Sequence, residues 1–169
     1  RGLVGSEMCI RDSTSAVDRF EFNVKGKGAH AAKPEQGNDP VIVVGQLINS
    51  LQTIVSRNLS AFDSAVVTIG EISCGNTWNV IADKAYIQGT VRSFDEDKRR
   101  YIENRMKNIA DGLSRVFNVD IDLTYSRLPG AVVNDTHLTQ EAIEVAKNVG
   151  YHVSMLDEPV TIGEDFSGY

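Results

Sequence analysis

A chain of 169 residues, 41% hydrophobic and 24% charged, has the size and apolar content of one ordinary globular domain with room for a piece of a second. Its net charge of −6 argues against nucleic-acid binding, which needs a basic face to neutralise phosphates. Two cysteines, Cys9 and Cys74, at no regular spacing supply neither a disulfide framework nor a zinc knuckle, and no apolar run approaches the ~20 residues of a membrane span. The expectation is a cytoplasmic protein with no membrane attachment.

Residues 1–12, RGLVGSEMCIRD, show no periodicity and no signal-peptide pattern, and are expected to be non-native or disordered. The first strand is legible from its alternation: Phe20, Phe22 and Val24 point one way, Glu21, Asn23 and Lys25 the other. After a glycine-rich stretch carrying His30, Asp39-Pro40 supplies an N-cap and a proline at the first helical position. The helix that follows is expected to bury Val41, Val44, Ile48, Leu51 and Val55 and to end near Arg57-Asn58, where Arg57 suits the negative end of the dipole. Residues 65–72, AVVTIGEI, are β-branched enough for a second strand, and Gly75 and Asn76 mark the loop after it. In the third strand Ala85, Ile87, Gly89 and Val91 share one face and Tyr86, Gln88, Thr90 and Arg92 the other. Ser93 and Glu96 stand at capping-box spacing before a second helix with Ile102, Met106, Ile109, Leu113 and Val116 on its apolar stripe. The fourth strand alternates Val119, Ile121, Leu123 and Tyr125 inward with Asp120, Asp122, Thr124 and Ser126 outward.

The order β-α-β-β-α-β, with each strand apolar on one face, predicts an α/β (α+β) ferredoxin-like sandwich over residues 17–127: a four-stranded antiparallel sheet with two helices on one face. Pro129-Gly130 breaks the chain. Beyond it a third helix starts at Asp135 or Thr136, carries Leu138, Ala142, Val145, Ala146 and Val149 on one stripe, and ends at Gly150 before a short strand, His152 to Leu156. Residues 128–169 are too few to bury a core of their own and are expected to pack on a domain outside this sequence.

The residues present do not make a complete active site. There is no C-x-x-C, H-E-x-x-H, G-x-S-x-G or P-loop, and the three histidines lack metal-ligand spacing, so no metal site is expected within the chain. Taken alone, His30 is a turn histidine, Asn79 a turn residue bonding its own backbone, and Arg92 a strand-end arginine on the helix-free face. Gly26 and Gly28 are read as serving the backbone, through positive φ or close approach.

Five blocks change the weight of these residues. Gly26-Lys27-Gly28-Ala29-His30-Ala31-Ala32 with Pro34, Asp39-Pro40, Asn79-Val80-Ile81, Gly89-Thr90-Val91-Arg92-Ser93 and Gly163-Glu164-Asp165-Phe166 stand in the order found in the M20 metallopeptidases. The chain from about Ser13 to its end resembles their amidohydrolase branch, which includes aminoacylases, hippurate hydrolases and auxin-conjugate hydrolases. It departs from the family at Ala82, where proline is usual.

The resemblance implies a two-domain enzyme that cleaves N-acyl amino acids or related amides. Its catalytic domain holds two divalent metal ions (Zn or Mn), and an inserted lid of ferredoxin-like fold mediates homodimerisation. The family's metal ligands lie before and after the lid. This chain is therefore expected to be the lid plus a returning piece of the catalytic domain, inactive alone, with Glu164 and Asp165 in structural roles. His30 matches the lid histidine that reaches a partner's active site and hydrogen-bonds the scissile carbonyl oxygen, a task for a preorganised donor. Asn79 matches an asparagine that holds substrate near the same group, and Arg92 the arginine that binds the substrate's terminal carboxylate, which guanidinium suits by offering two parallel donors. Trp78, Cys74, His137 and His152 are expected to pack or face solvent. The alternative is a stand-alone ferredoxin-like ligand-binding or dimerisation module without catalysis. An RNA-binding sheet is disfavoured, because the aromatics Phe20 and Phe22 belong to the core face.

Overall fold

The computed structural model describes residues 7–10, 13–128 and 130–155. In chain order the strands and α-helices are β1 (Glu7–Ile10), β2 (Ser13–Thr14), β3 (Ala16–Lys25), β4 (Ala29–His30), α1 (Pro40–Thr53), β5 (Ala65–Cys74), β6 (Val80–Ile81), β7 (Lys84–Ser93), α2 (Glu96–Phe117), β8 (Asp120–Arg127), β9 (Val132–Val133), α3 (Thr136–Asn148) and β10 (His152–Met155). Strands β5-β7-β3-β8, in that order, form one antiparallel sheet. The ferredoxin-like order is thus the observed one, with α1 and α2 against a single face.

The period-2 pattern of β3 fixes the register. Phe22 stands opposite Ile87 on β7 and Leu123 on β8, and Val24 opposite Ala85 and Ile121. All six side chains project to the helix side, where Phe20, Phe22 and Val24 are fully buried with Ile87 and Val91. The rings of Phe20 and Phe22 meet edge to face, 5.7 Å between centroids. A β-carbon on Gly89 would lie 2.4 Å from Phe20 Cζ and 2.1 Å from the Thr68 carbonyl oxygen. The glycine in Gly89-Thr90-Val91 therefore makes room for an aromatic ring.

Three details differ from the sequence reading. In α1 the buried residues are Pro40, Val43, Val44, Leu47 and Leu51, followed by Ile54, while Val41 is half exposed. Residues 41–44 are all apolar, so periodicity alone does not set the helix phase, and packing on the sheet chooses it. Asp95, not Ser93, caps α2: its carboxylate accepts from the N–H groups of Asp97 and Lys98 at 2.7 and 3.0 Å, the task of an N-cap. Val116 is exposed, and Phe117 takes its place against the core.

Beyond the sheet, β2 pairs antiparallel with β9, and β1 runs parallel to β10. The segment expected to lie outside the fold thus contributes a strand through Glu7–Ile10. Helix α3 is capped by Asp135, which accepts from Leu138 N–H at 2.9 Å. Its apolar stripe is uncovered among the described residues, with Leu138, Val145 and Val149 all exposed.

One charge breaks the alternation of β3. Asp18 occupies an inward position beside Phe20 and is buried, as is Arg99 of α2. The Asp18 carboxylate accepts from Arg99 Nε at 2.8 Å and Arg99 Nη2, from the Tyr125 hydroxyl at 2.7 Å, and from Leu128 N–H at 3.3 Å. Arg99 Nη2 also donates to the Leu128 carbonyl at 2.6 Å. Four donors saturate the carboxylate, which is what a buried charge requires. Burial, with the hydrogen bond to Asp18 beside it, pushes the Tyr125 hydroxyl well above the tyrosine range. The hydrogen bonds to Asp18 raise Arg99 further against its burial. Around this pair Arg127 reaches Glu96 at 2.6 Å and Glu103 at 2.7 Å. The cluster ties the start of β3, the first turns of α2 and the end of β8 at the point where the chain leaves the sheet.

Asp18→Ala is expected to lower stability by about 3–5 kcal/mol, because it leaves Arg99 buried without its partner. Tyr125→Phe removes one charge-assisted bond and is expected to lower it by about 1.5–3 kcal/mol. Urea unfolding checks both. Single-variant losses below about 0.5 kcal/mol would show that the cluster carries no stability.

Candidate functional site

The stretch from Gly26 to Asp39 is a braced loop. Gly26 N–H donates to the Asp83 carbonyl at 2.9 Å, and Lys27 and Asn38 exchange two backbone bonds of 2.9 Å. A β-carbon on Gly26 would lie 2.2 Å from the Asn38 carbonyl oxygen, so glycine is needed for close approach; its φ is not in the left-handed region. Asn38 Nδ2 donates to the Phe117 carbonyl at 3.3 Å, tying the loop to the end of α2. Asp39 then caps α1, accepting from Val41 N–H at 2.9 Å, as its sequence position predicts.

Within this loop β4 pairs antiparallel with β6, placing His30 directly opposite Val80. The ladder extends one bond further, from Ala31 N–H to the Asn79 carbonyl at 3.1 Å, and Lys33 N–H returns to the His30 carbonyl at 2.8 Å. His30 and Asn79, 49 positions apart in the sequence, therefore share one small ribbon. Ala82 is buried, and the ribbon's exit is held by the Gly26 bond to Asp83.

The His30 ring is exposed. Its Nδ1 accepts from Ala32 N–H at 3.1 Å. A nitrogen that accepts carries no proton, so in the neutral ring the proton sits on Nε2. Nε2 has no partner among the described residues and is an available donor. At Asn79, the Thr77 hydroxyl donates to Oδ1 at 3.3 Å, which leaves the amide Nδ2 to donate. The ribbon thus carries two hydrogen-bond donors, His30 Nε2 and Asn79 Nδ2, on a backbone held at both strands; His30 shares its face with Val80, and Asn79 is the residue before Val80, across from Ala31.

Arg92 is placed differently. It lies on β7 between Val17 of β3 and Val66 of β5, on the helix-free face as its parity predicts. It is half-buried, and no carboxylate lies within ion-pair distance among the described residues. It stands eight positions beyond Lys84 (92 − 84), on the order of 25 Å along the strand from the end of β7 next to the ribbon. Two of the three candidate residues are brought together, and the third is held at the far end of the sheet.

Among the described residues no three His, Cys, Asp or Glu side chains converge as a metal site. His137 is exposed beside Glu141 at 3.4 Å, and His152 is exposed on β10. Burial pushes the Cys74 thiol up, which keeps it protonated and a poor nucleophile. Glu164 and Asp165 lie outside the described residues. What sequence reasoning missed is the Asp18–Arg99–Tyr125 cluster. Its signal was available: a carboxylate at an inward position of an alternating strand demands a buried partner.

The fold is thus a ferredoxin-like sheet with one bare face and a braced histidine ribbon at its end. The family profile described as the peptidase dimerisation domain, M20_dimer, matches residues 14–116, and the chain belongs to the M20 peptidase family. It is 42% identical over 159 residues to the N-acetyl-L-cysteine deacetylase of Bacillus subtilis, covering 92% of this chain and 37% of that protein. It is 39% identical over 149 residues to the N-acetyldiaminopimelate deacetylase of a Geobacillus species, covering 88% and 39%. Among solved structures, a protein of methicillin-resistant Staphylococcus aureus described as an aminohydrolase matches with a TM-score of 0.83 at 32% identity, over 94% of this chain and 41% of that one. A Bacillus subtilis dinuclear metal-binding peptidase of the M20 family matches with a TM-score of 0.73 at 30% identity, over 97% and 40%. The chain spans about two fifths of the length of these relatives. No helix among the described residues is long and apolar enough to cross a membrane.

Long-range 1H–15N correlation spectra of the chain are expected to show His30 with Nδ1 unprotonated and Nε2 protonated at neutral pH. Ala32→Pro, which removes the donor to Nδ1, is expected to give a mixture of tautomers. An Nδ1-protonated ring in the unaltered chain would contradict the assignment.

Proposed function

We propose that this chain is the lid of a cytoplasmic metal-dependent amidohydrolase that cleaves N-acyl amino acids or related amides, with residues 17–127 as the lid and 128–169 as a return to the catalytic domain. The observation that carries the reading is the ribbon: His30 Nε2 is a braced, available donor on it, and His30 and Asn79 both stand in family blocks. Named relatives remove acetyl groups from cysteine and diaminopimelate, which supports an N-acyl amino acid as substrate class. As the amide is attacked, charge grows on its oxygen; His30 donates to that oxygen, Asn79 holds the substrate beside it, and Arg92 binds the terminal carboxylate as a two-donor fork.

A pair of divalent ions, Zn or Mn, would supply the activated water. The residues described here do not fit such a centre, so it belongs to residues elsewhere in the protein, and no step is assigned to it within this chain. The 169 residues alone are accordingly expected to hydrolyse no N-acyl amino acid, even with added Zn or Mn.

Distance supports a shared site. An N-acyl amino acid is no longer than about two extended residues, ~7 Å, and cannot touch the ribbon and Arg92 of one lid across a gap on the order of 25 Å. In a homodimer, each site can take His30 and Asn79 from one subunit and Arg92 from the other. The β5 edge is the surface that favours self-association: Val66 and Ile72 are exposed on it, and Val41 and Ile42 on the adjoining α1. The other edge, β8, is charged, with Asp122 paired to Lys25 at 3.0 Å, a pattern that discourages strand addition.

In the full-length enzyme, His30→Ala is expected to lower kcat by about 100- to 1,000-fold with little change in KM. Heterodimers of a His30→Ala subunit with an Arg92→Ala subunit are expected to regain about half the wild-type activity, because one of their two sites is intact. Heterodimers as inactive as either parent would rule out the shared site. Val66→Lys is expected to shift the enzyme toward monomer by light scattering; an unchanged dimer would move the interface away from β5.

A further inference from the structure

Trp78 is the only tryptophan of the chain, and it is 92% exposed. An indole carries about 150–250 Å² of surface and is ordinarily buried or held at an interface. Nothing among the described residues covers it. Its position is specific: it precedes Asn79, whose carbonyl closes the ladder onto Ala31, and lies two positions before Val80, the cross-strand partner of His30.

The surroundings point to a ligand with apolar substance. Val80 is 46% exposed, and residues directly opposite on paired strands project to the same face, so an apolar side chain flanks the His30 imidazole. Val80 also lines a hollow of about 570 Å³ with Ala31, Pro34, Asp39, Val41 and Asn76, a wall that includes neither His30 nor Trp78. An uncovered apolar side chain, Val80, thus stands beside His30, with the indole on the adjoining turn. Polar substrate groups alone would not explain an uncovered tryptophan at this place.

We infer that Trp78 is a specificity-determining residue whose indole covers the apolar acyl or side-chain group flanking the amide carbonyl that His30 engages. The inference rests on the role proposed above for His30. It adds a discriminating function to the ribbon: His30 and Asn79 act on the amide common to all substrates, and Trp78 acts on the part that varies. Burying the indole and a substrate methylene together favours larger apolar groups, at roughly tenfold or more per methylene where the fit is close. Phenylalanine preserves most of that contact and alanine removes it.

The test uses the full-length enzyme with two substrate series, N-acyl methionines of increasing acyl length and N-acetyl amino acids of increasing apolar side chain. In at least one series, Trp78→Ala is expected to reduce kcat/KM by an amount that grows with apolar size, reaching about tenfold for the largest member and under twofold for the smallest. Trp78→Phe is expected to retain most of the wild-type preference, and light scattering to show the same oligomer for all three proteins. Equal losses across both series, or no loss, would overturn the inference. Dissociation of the oligomer in Trp78→Ala with a parallel fall for every substrate would assign the indole to the subunit interface and overturn it as well. A wild-type enzyme inactive on every member of both series would overturn the parent reading of the ribbon, an outcome distinct from a selective change in the variant.

Discussion

Burial of the central sheet on one face only is the constraint from which the rest of this structure follows. A strand has period two, so covering one side divides its residues by parity, and a slip of one position would exchange core for surface along the whole strand. Phe20, Phe22, Val24, Ile87 and Val91 settle that choice toward α1 and α2. The same division sends Arg92 to the bare face, together with Arg19, Glu21, Tyr86 and Gln88. Those residues pair with one another there: Arg19 donates to Gln88 at 2.6 Å, and Tyr86 to Glu21 at 3.1 Å. The polar face is thus largely occupied by its own hydrogen bonds, and among the described residues Arg92 has no ion pair at its end of the face.

Asp18 is the exception that shows how strong the constraint is. Register sends its carboxylate inward whatever the cost, and the fold meets it with a buried arginine, a tyrosine hydroxyl and a backbone N–H. An apolar residue would fill the position without the desolvation penalty. The ion pair instead fixes α2 against β8 and holds Leu128 through both its N–H and its carbonyl. Residues 127 and 128 are where the chain turns toward the β2–β9 ribbon, so the cluster sets the direction in which it leaves the sheet.

Most of the fold was legible in the sequence because alternation and helical spacing are direct consequences of one-sided burial. The four strands, the two covering helices and the caps at Asp39 and Asp135 all follow from local pattern. The phase of α1 did not, since Val41-Ile42-Val43-Val44 satisfies any phase and only contact with the sheet discriminates among them. The cap of α2 was misplaced from Asp95 to Ser93 because serine and glutamate matched a capping-box spacing that the backbone does not use. At the site, His30 and Asn79 were recognisable only through family blocks. Their proximity depends on a two-residue ladder, β4 with β6, too short to leave a periodic signature. Asp18 and Arg99 were overlooked although the parity rule marks the aspartate as anomalous.

Separation and bracing together explain why such a lid suits the proposed chemistry. A donor stabilises a developing oxyanion only if its position is fixed before the charge appears, since reorganisation during the reaction would consume the gain. His30 meets that condition through bonds that do not involve Nε2: the ladder to Val80, the Lys33 bond to its carbonyl, and the Ala32 bond to Nδ1. The ribbon stands at one end of the sheet, so in the proposed reaction the substrate is presented to it by another body. Arg92, locked in the middle of three paired strands at the opposite end, cannot move to join it without breaking the ladders to Val17 and Val66. A rigid sheet with recognition groups at its two ends, placed between two catalytic bodies, can contribute to both at once. On that geometry, self-association is a requirement of the proposed reaction.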